Sequence, residues 1–148
     1  MRLAEGPRPW SIWAFCTINL LSGLFELAWG IAESGDALEA LREDFPDTDW
    51  TFDHMIILNS ALFSIVLIPI VAIWFFASKV ARAIVTAFAC LTAVGIVASF
   101  WAYPFVASED LLETVYTVAV LGTFGWLFVP SANQWFEKVR QIDPATFD

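Results

Sequence analysis

A chain of 148 residues that is 59% hydrophobic and 16% charged lacks the balance of a water-soluble domain, in which about a quarter of residues are charged. Its formal net charge of −9 comes without a basic patch, which argues against nucleic acid as a partner. What the composition describes is an all-α integral membrane protein.

Four apolar runs, at 10–31, 55–77, 80–103 and 111–129, each approach the ~20 residues that a spanning helix requires. They predict a single domain over 1–148: an antiparallel bundle of four transmembrane helices, with an outer loop at 32–54 and an interfacial segment at 131–142. The first run exceeds the apolar region of a signal peptide, about 7–15 residues, and is expected to be retained. Six of the seven basic residues (Arg2, Arg8, Lys79, Arg82, Lys138 and Arg140) flank the runs on one side, and only Arg42 falls on the other. By the positive-inside rule both termini and the turn between runs two and three are cytoplasmic. The expected location is a bacterial inner (plasma) membrane. Tryptophans fall at the same two levels, Trp10, Trp13, Trp74, Trp126 and Trp135 inside and Trp29, Trp50 and Trp101 outside, where amphipathic rings prefer to sit.

The first run carries a carboxylate, Glu26, inside an apolar stretch. An ionisable group at that depth is costly unless it is neutralised, paired or wetted. Cys16, Asn19, Ser22 or Gly23, Glu26 and Gly30 recur at three- and four-residue steps, so they share one helix face, and that face is expected to point into protein.

In the loop, Asp36 and Glu39 have the spacing of a capping box, and Ala37, Leu38, Leu41 and Phe45 form one apolar face that Pro46 ends. A short amphipathic surface helix follows from this pattern. The next eight residues, DTDWTFDH, gather Asp47, Asp49, Asp53 and the single histidine, His54. These are weak candidates for a divalent cation site, because the glycine and terminal glutamate of an EF-hand are missing. The competing reading is that Thr51 or Asp53 caps the second span.

Runs two and three are separated by so few residues that they must form a helical hairpin. Pro69 is expected to bend the second, while Ala83, Ala87, Ala89, Ala93, Gly95 and Ala98 allow close contact along the third. Ser108, with Glu109 and Asp110, opens the fourth, and Gly122 and Gly125 give it a smooth packing patch. Trp135, Phe136, Val139 and Ile142 form the apolar side of the interfacial segment, with Lys138 and Arg140 toward headgroups. Cys16 and Cys90 lie about 6 and 15 Å from the inner ends of their spans, so no disulfide is expected.

Stacking the intramembrane polar residues by helical rise places Asn59, Ser60, Ser99, Tyr116 and Thr117 at the level of Glu26. Asn19, Thr86 and Thr123 are the polar exceptions in an otherwise apolar inner half. The stack describes an outward-facing pocket closed below, and disfavours a monomeric pore, which wants polar lining throughout. Glu26, with Asn19, Asn59, Ser60, Ser99, Tyr116 and Thr117, is the candidate ligand or proton site. It serves as polar glue between helices, as a ligand contact, or as a proton-exchanging group.

A lone glutamate in the first of four spans superficially resembles the small multidrug resistance transporters. The longer chain and one-sided charge bias depart from them. The eicosanoid and glutathione membrane enzymes share the span count and length, but their arginine-rich polar interior is absent. The resulting expectation is a small polytopic membrane protein, more a binder than an enzyme, that takes an amphiphilic ligand or partner helix around Glu26, as an accessory subunit or homo-oligomer. No cofactor is expected. The rival readings are a proton-coupled transporter or oligomeric cation channel using Glu26, and then a small membrane enzyme.

Overall fold

The computed structural model describes residues 4, 6–102 and 108–138, with side chains up to 98 and over 114–137. Among the described residues the regular structure is entirely helical: α1 (Trp10–Ala32), α2 (Ser34–Asp44), α3 (Phe52–Phe76), α4 (Lys79–Ala102), α5 (Ser108–Thr123), a 3-10 segment (Phe124–Phe128) and α6 (Pro130–Lys138). Three helices, α1, α3 and α4, are long and apolar enough to cross a membrane. The large side chains they leave uncovered, such as Ile57 at 65%, Leu91 at 68% and Val80 at 70% exposed, suit contact with lipid tails and not with water.

The fourth expected run, 111–129, is α5 continued by the 3-10 segment, and the chain bends where that run ends. Thr114–Phe128 and Pro130–Glu137 meet the length and apolarity test only as a pair, bent by 56°. The break has a local cause. Pro130 disfavours helical backbone in the residue before it, and Val129 is accordingly extended at φ −64°, ψ 152°. Upstream, the helix tightens to 3-10 geometry around Gly125, a poor helix former. A methyl group added at Gly122 or Gly125 would meet nothing within 4 Å among the described residues, so among them these glycines do not make the packing patch expected. The interfacial segment corresponds to α6, which begins at Pro130; residues 139–142 lie outside the described residues.

The chain divides into two compact units, Met1–Asn19 with Pro69–Asp148, and Leu20–Ile68. In the first, the start of α1 buries Ile12, Phe15, Cys16 and Asn19, a helical face at three- and four-residue steps. Ile70, Ile73 and Ala77 from the end of α3, Ala81 and Val85 from the start of α4, and Leu127, Ala132, Trp135 and Phe136 complete that core. Rings tie α1 to the 3-10 region, Trp10 to Trp126 at 5.5 Å and Phe15 edge-on to Phe124 at 5.3 Å. The N-terminal segment is strapped to α3 by Ala4 N–H donating to the Phe75 carbonyl at 2.6 Å and Arg8 Nε to that of Trp74 at 3.1 Å.

The turn between α3 and α4 is Ala77 and Ser78 alone. Ala77 takes φ +46° and its N–H donates to the Ile73 carbonyl at 3.1 Å, the αL termination that glycine usually supplies. Ser78 then caps α4, its Oγ accepting the Ala81 N–H at 3.1 Å. Both helix ends are thereby satisfied within two residues, the short connection the sequence expects.

In the second unit α1 and α3 approach through small residues. A methyl at Gly23 would sit 3.3 Å from the Phe63 ring, and one at Gly30 would collide with Asn59 Oδ1. The surface helix α2 starts at Ser34, two residues before the expected cap at Asp36, and Glu33 at its N-cap makes no side-chain capping bond. The reason is continuity with α1. Only Glu33 separates the two helices, and the buried Ser34 hydroxyl donates back to the Ile31 carbonyl at 2.7 Å, leaving Asp36 inside the first turn.

Candidate functional site

The expected polar layer draws on both units, and each part is built differently. Asn19 belongs to the first unit, where it is buried. Its Nδ2 donates to Thr123 Oγ1 at 2.9 Å and to the Phe15 carbonyl at 2.9 Å, and the Thr123 hydroxyl donates onward to the Val120 carbonyl at 2.7 Å. This is a clasp between α1 and the end of α5. Polar groups in an apolar setting hold helices together when every member is satisfied, so Asn19 has a structural occupation. Sequence reasoning left Thr123 off the candidate list. The signal for it was available, since Asn19 and Thr123 are two of only three polar exceptions in the apolar inner half.

The third exception, Thr86, donates to the Arg82 carbonyl of its own helix at 2.8 Å. Ser64 and Thr92 do the same toward Ser60 and Phe88. Hydroxyls that bond back four residues need no interhelical partner. Tyr116 is 37% exposed and Thr117 half-buried on α5, and both have interactions within the molecule. Ser99 is helical, and its side chain lies outside the described residues.

Asn59 sits in the second unit, and its amide is committed. Nδ2 donates to the Met55 carbonyl at 3.0 Å and across to the Gly30 carbonyl at 3.4 Å, which is why Gly30 has no room for a side chain. Ser60 is exposed. Glu26 is exposed too, and among the described residues of its own unit its carboxylate has no hydrogen-bond or ion-pair partner. Leu21, Phe25 and Trp29, at four-residue steps beside it, are 59%, 56% and 53% exposed.

The acidic stretch after α2 is organised by rings and caps. Arg42 donates from Nε and Nη2 to the Trp50 carbonyl at 3.1 and 2.7 Å, and Trp50 lies between Phe45 and His54 at ring distances of 6.5 and 5.8 Å. His54 Nδ1 accepts the Thr51 N–H at 3.1 Å and lies 3.0 Å from Thr51 Oγ1. With α3 starting at Phe52, this is the reach-back half of a capping box, with histidine at the third helical position in place of the usual Glu or Gln, while the His54 N–H donates to the Thr51 carbonyl at 3.1 Å. Asp47, Asp49 and Asp53 are exposed, and among the described residues no three of His, Cys, Asp and Glu form a group able to hold a metal ion. Cys16 and Cys90 are free thiols, the first buried and the second exposed.

Compared with protein families, with curated proteins and with solved structures, the chain matches none.

Proposed function

We propose that this protein is a membrane subunit that binds a partner transmembrane helix, from another chain or a second copy, through the outer half of α1, with Glu26 as the polar anchor. The observation that carries the reading is Glu26 itself, an exposed carboxylate on an apolar helix without a polar partner in its own unit. A charged side chain facing hydrocarbon is costly unless it is neutralised, paired or wetted, and a donor or cation from outside the unit would pair it. The flanking stripe of Leu21, Phe25 and Trp29 is elongated along the helix, the shape of a helix–helix contact. A small ligand would call for a recess instead.

The same reading places four crossings in a bacterial inner membrane, with both termini and the α3–α4 turn cytoplasmic and α2 outside. The basic residues support that sidedness. The fourth crossing is α5 with its 3-10 extension, and α6 turns off along the inner surface.

A photo-crosslinking residue at Trp29 in native membranes tests the partner. A discrete protein adduct, present in the wild-type background, kept in Glu26→Gln and lost in Glu26→Leu, is expected. Adducts with lipid alone in every background would remove the reading. Proton flux in proteoliposomes that Glu26→Gln abolishes would replace it with transport.

A further inference from the structure

A second feature lies in the first unit, away from Glu26. Along α4, Lys79, Arg82, Ala83, Thr86, Ala87 and Cys90 share one face, and with Phe128, Asn133 and α6 they line a groove of about 550 Å3. Its cationic end is pre-organised. The Arg82 guanidinium lies 4.3 Å from the centre of the Phe128 ring and 5.0 Å from that of Phe136, and its Nη1 donates to Asn133 Oδ1 at 2.7 Å. Asn133 is oriented for this by its own Nδ2, which donates to the Phe128 carbonyl at 3.0 Å. Exposed Lys79 precedes Arg82 by one turn. Farther along α4 the wall is small and apolar at Ala83, Ala87 and Cys90.

We propose that this groove holds an anionic phospholipid, with its phosphate at Lys79 and Arg82 and one acyl chain along Ala83, Ala87 and Cys90. The dimensions fit. From Lys79 to Cys90 the helix rises about 16 Å, half of a hydrocarbon core ~30 Å thick and so the depth of one leaflet. The order of chemistry along the groove, cations first and apolar wall after, is that of a lipid entering from the membrane surface. Glu137 also lines the groove and offsets one of the two cations. A free phosphate would therefore gain little there, whereas a lipid adds the burial of its chain.

Native mass spectrometry of the full chain in detergent, titrated with phosphatidylglycerol or phosphatidylcholine of equal chain length, tests the assignment. Phosphatidylglycerol is expected to bind about fivefold more tightly, the preference that one basic residue supplies near an anionic surface. Lys79→Gln should remove most of that preference. Ala87→Leu should weaken both lipids by filling the path of the chain. Lys79 and Ala87 are exposed, so both variants keep the fold, with unchanged helicity by circular dichroism. Equal affinity for the two lipids in the wild type, a preference that Lys79→Gln leaves intact, or affinities that Ala87→Leu leaves unchanged, overturns the assignment. Displacement of phosphatidylglycerol by millimolar glycerol phosphate also overturns it, in favour of a soluble phosphate site.

Discussion

Ala77 shows how one residue's backbone sets the path of two helices. A non-glycine residue in the left-handed region costs about 1–2 kcal/mol, yet this alanine is buried, 6% exposed in the core, where its methyl contributes about 0.8 kcal/mol. The two effects oppose each other. Ala77→Gly is therefore expected to change stability by less than about 1 kcal/mol, whereas Ala77→Val, β-branched and larger, should cost more than about 2 kcal/mol. Reversible unfolding in mixed micelles, followed by circular dichroism, measures both. Equal costs for the two variants would mean that the turn is not under the strain its φ implies. Nothing in the sequence marks Ala77 for this role, because the cue would be a glycine and the residue is an alanine. His54 differs, because a cap at Thr51 is one of the two readings its sequence offers, and its Nδ1 accepts the Thr51 N–H at 3.1 Å.

At the scale of elements, the pairing of α1 with α3 in the second unit depends on Gly30 and the amide of Asn59. A methyl at position 30 would displace that partly buried amide from both of its carbonyl partners, at a cost of about 1 kcal/mol or more. Gly30→Ala is expected to lose that much stability, and Gly23→Ala less, since its nearest neighbour is the edge of a ring at 3.3 Å. Combined with Asn59→Ala, the Gly30→Ala penalty should shrink by more than about 1 kcal/mol, as expected for residues in direct contact. Strictly additive losses in a double-mutant cycle would rule out the contact. Both residues were visible beforehand, Gly30 on the small and polar face of run one and Asn59 in the layer with Glu26. The sequence linked each of them to Glu26, while the fold joins them to each other. Helical rise supplies depth along an axis, and rotation about that axis is set by packing.

For the whole molecule the number of crossings decides on which side of the membrane α6 lies. Arg82, in the first turn of α4, bonds Asn133 of α6, so the chain that leaves the far end of α4 has returned to its start. The 16 residues of α5 and the five of the 3-10 segment span about 34 Å, close to the ~36 Å of α4. We therefore expect a cysteine at Gln134 to react with an impermeant maleimide from the same side as one at Lys79, and one at Gly35 from the opposite side, in a chain with both native thiols replaced. Labelling of Gln134 from the side of Gly35 would reduce the crossings to three and make the bent pair re-entrant.

By itself the sequence determined the helical class, three helices long and apolar enough to cross a membrane, and the two-residue connection between the second and third, because each rests on a count of apolar residues or on the shortness of the connection; the fourth crossing it expects is a proposal. The surface helix and the cap region of α3 were also legible, within two or three residues, from local turn chemistry. Only the tertiary structure decided the 3-10 ending of α5, the clasp of Asn19 with Thr123, the commitment of Asn59 to Gly30, and the exposure of Glu26. Hydropathy describes how far a helix goes into a membrane. Which polar group meets which depends on rotation and on backbone terminations that leave no mark in composition.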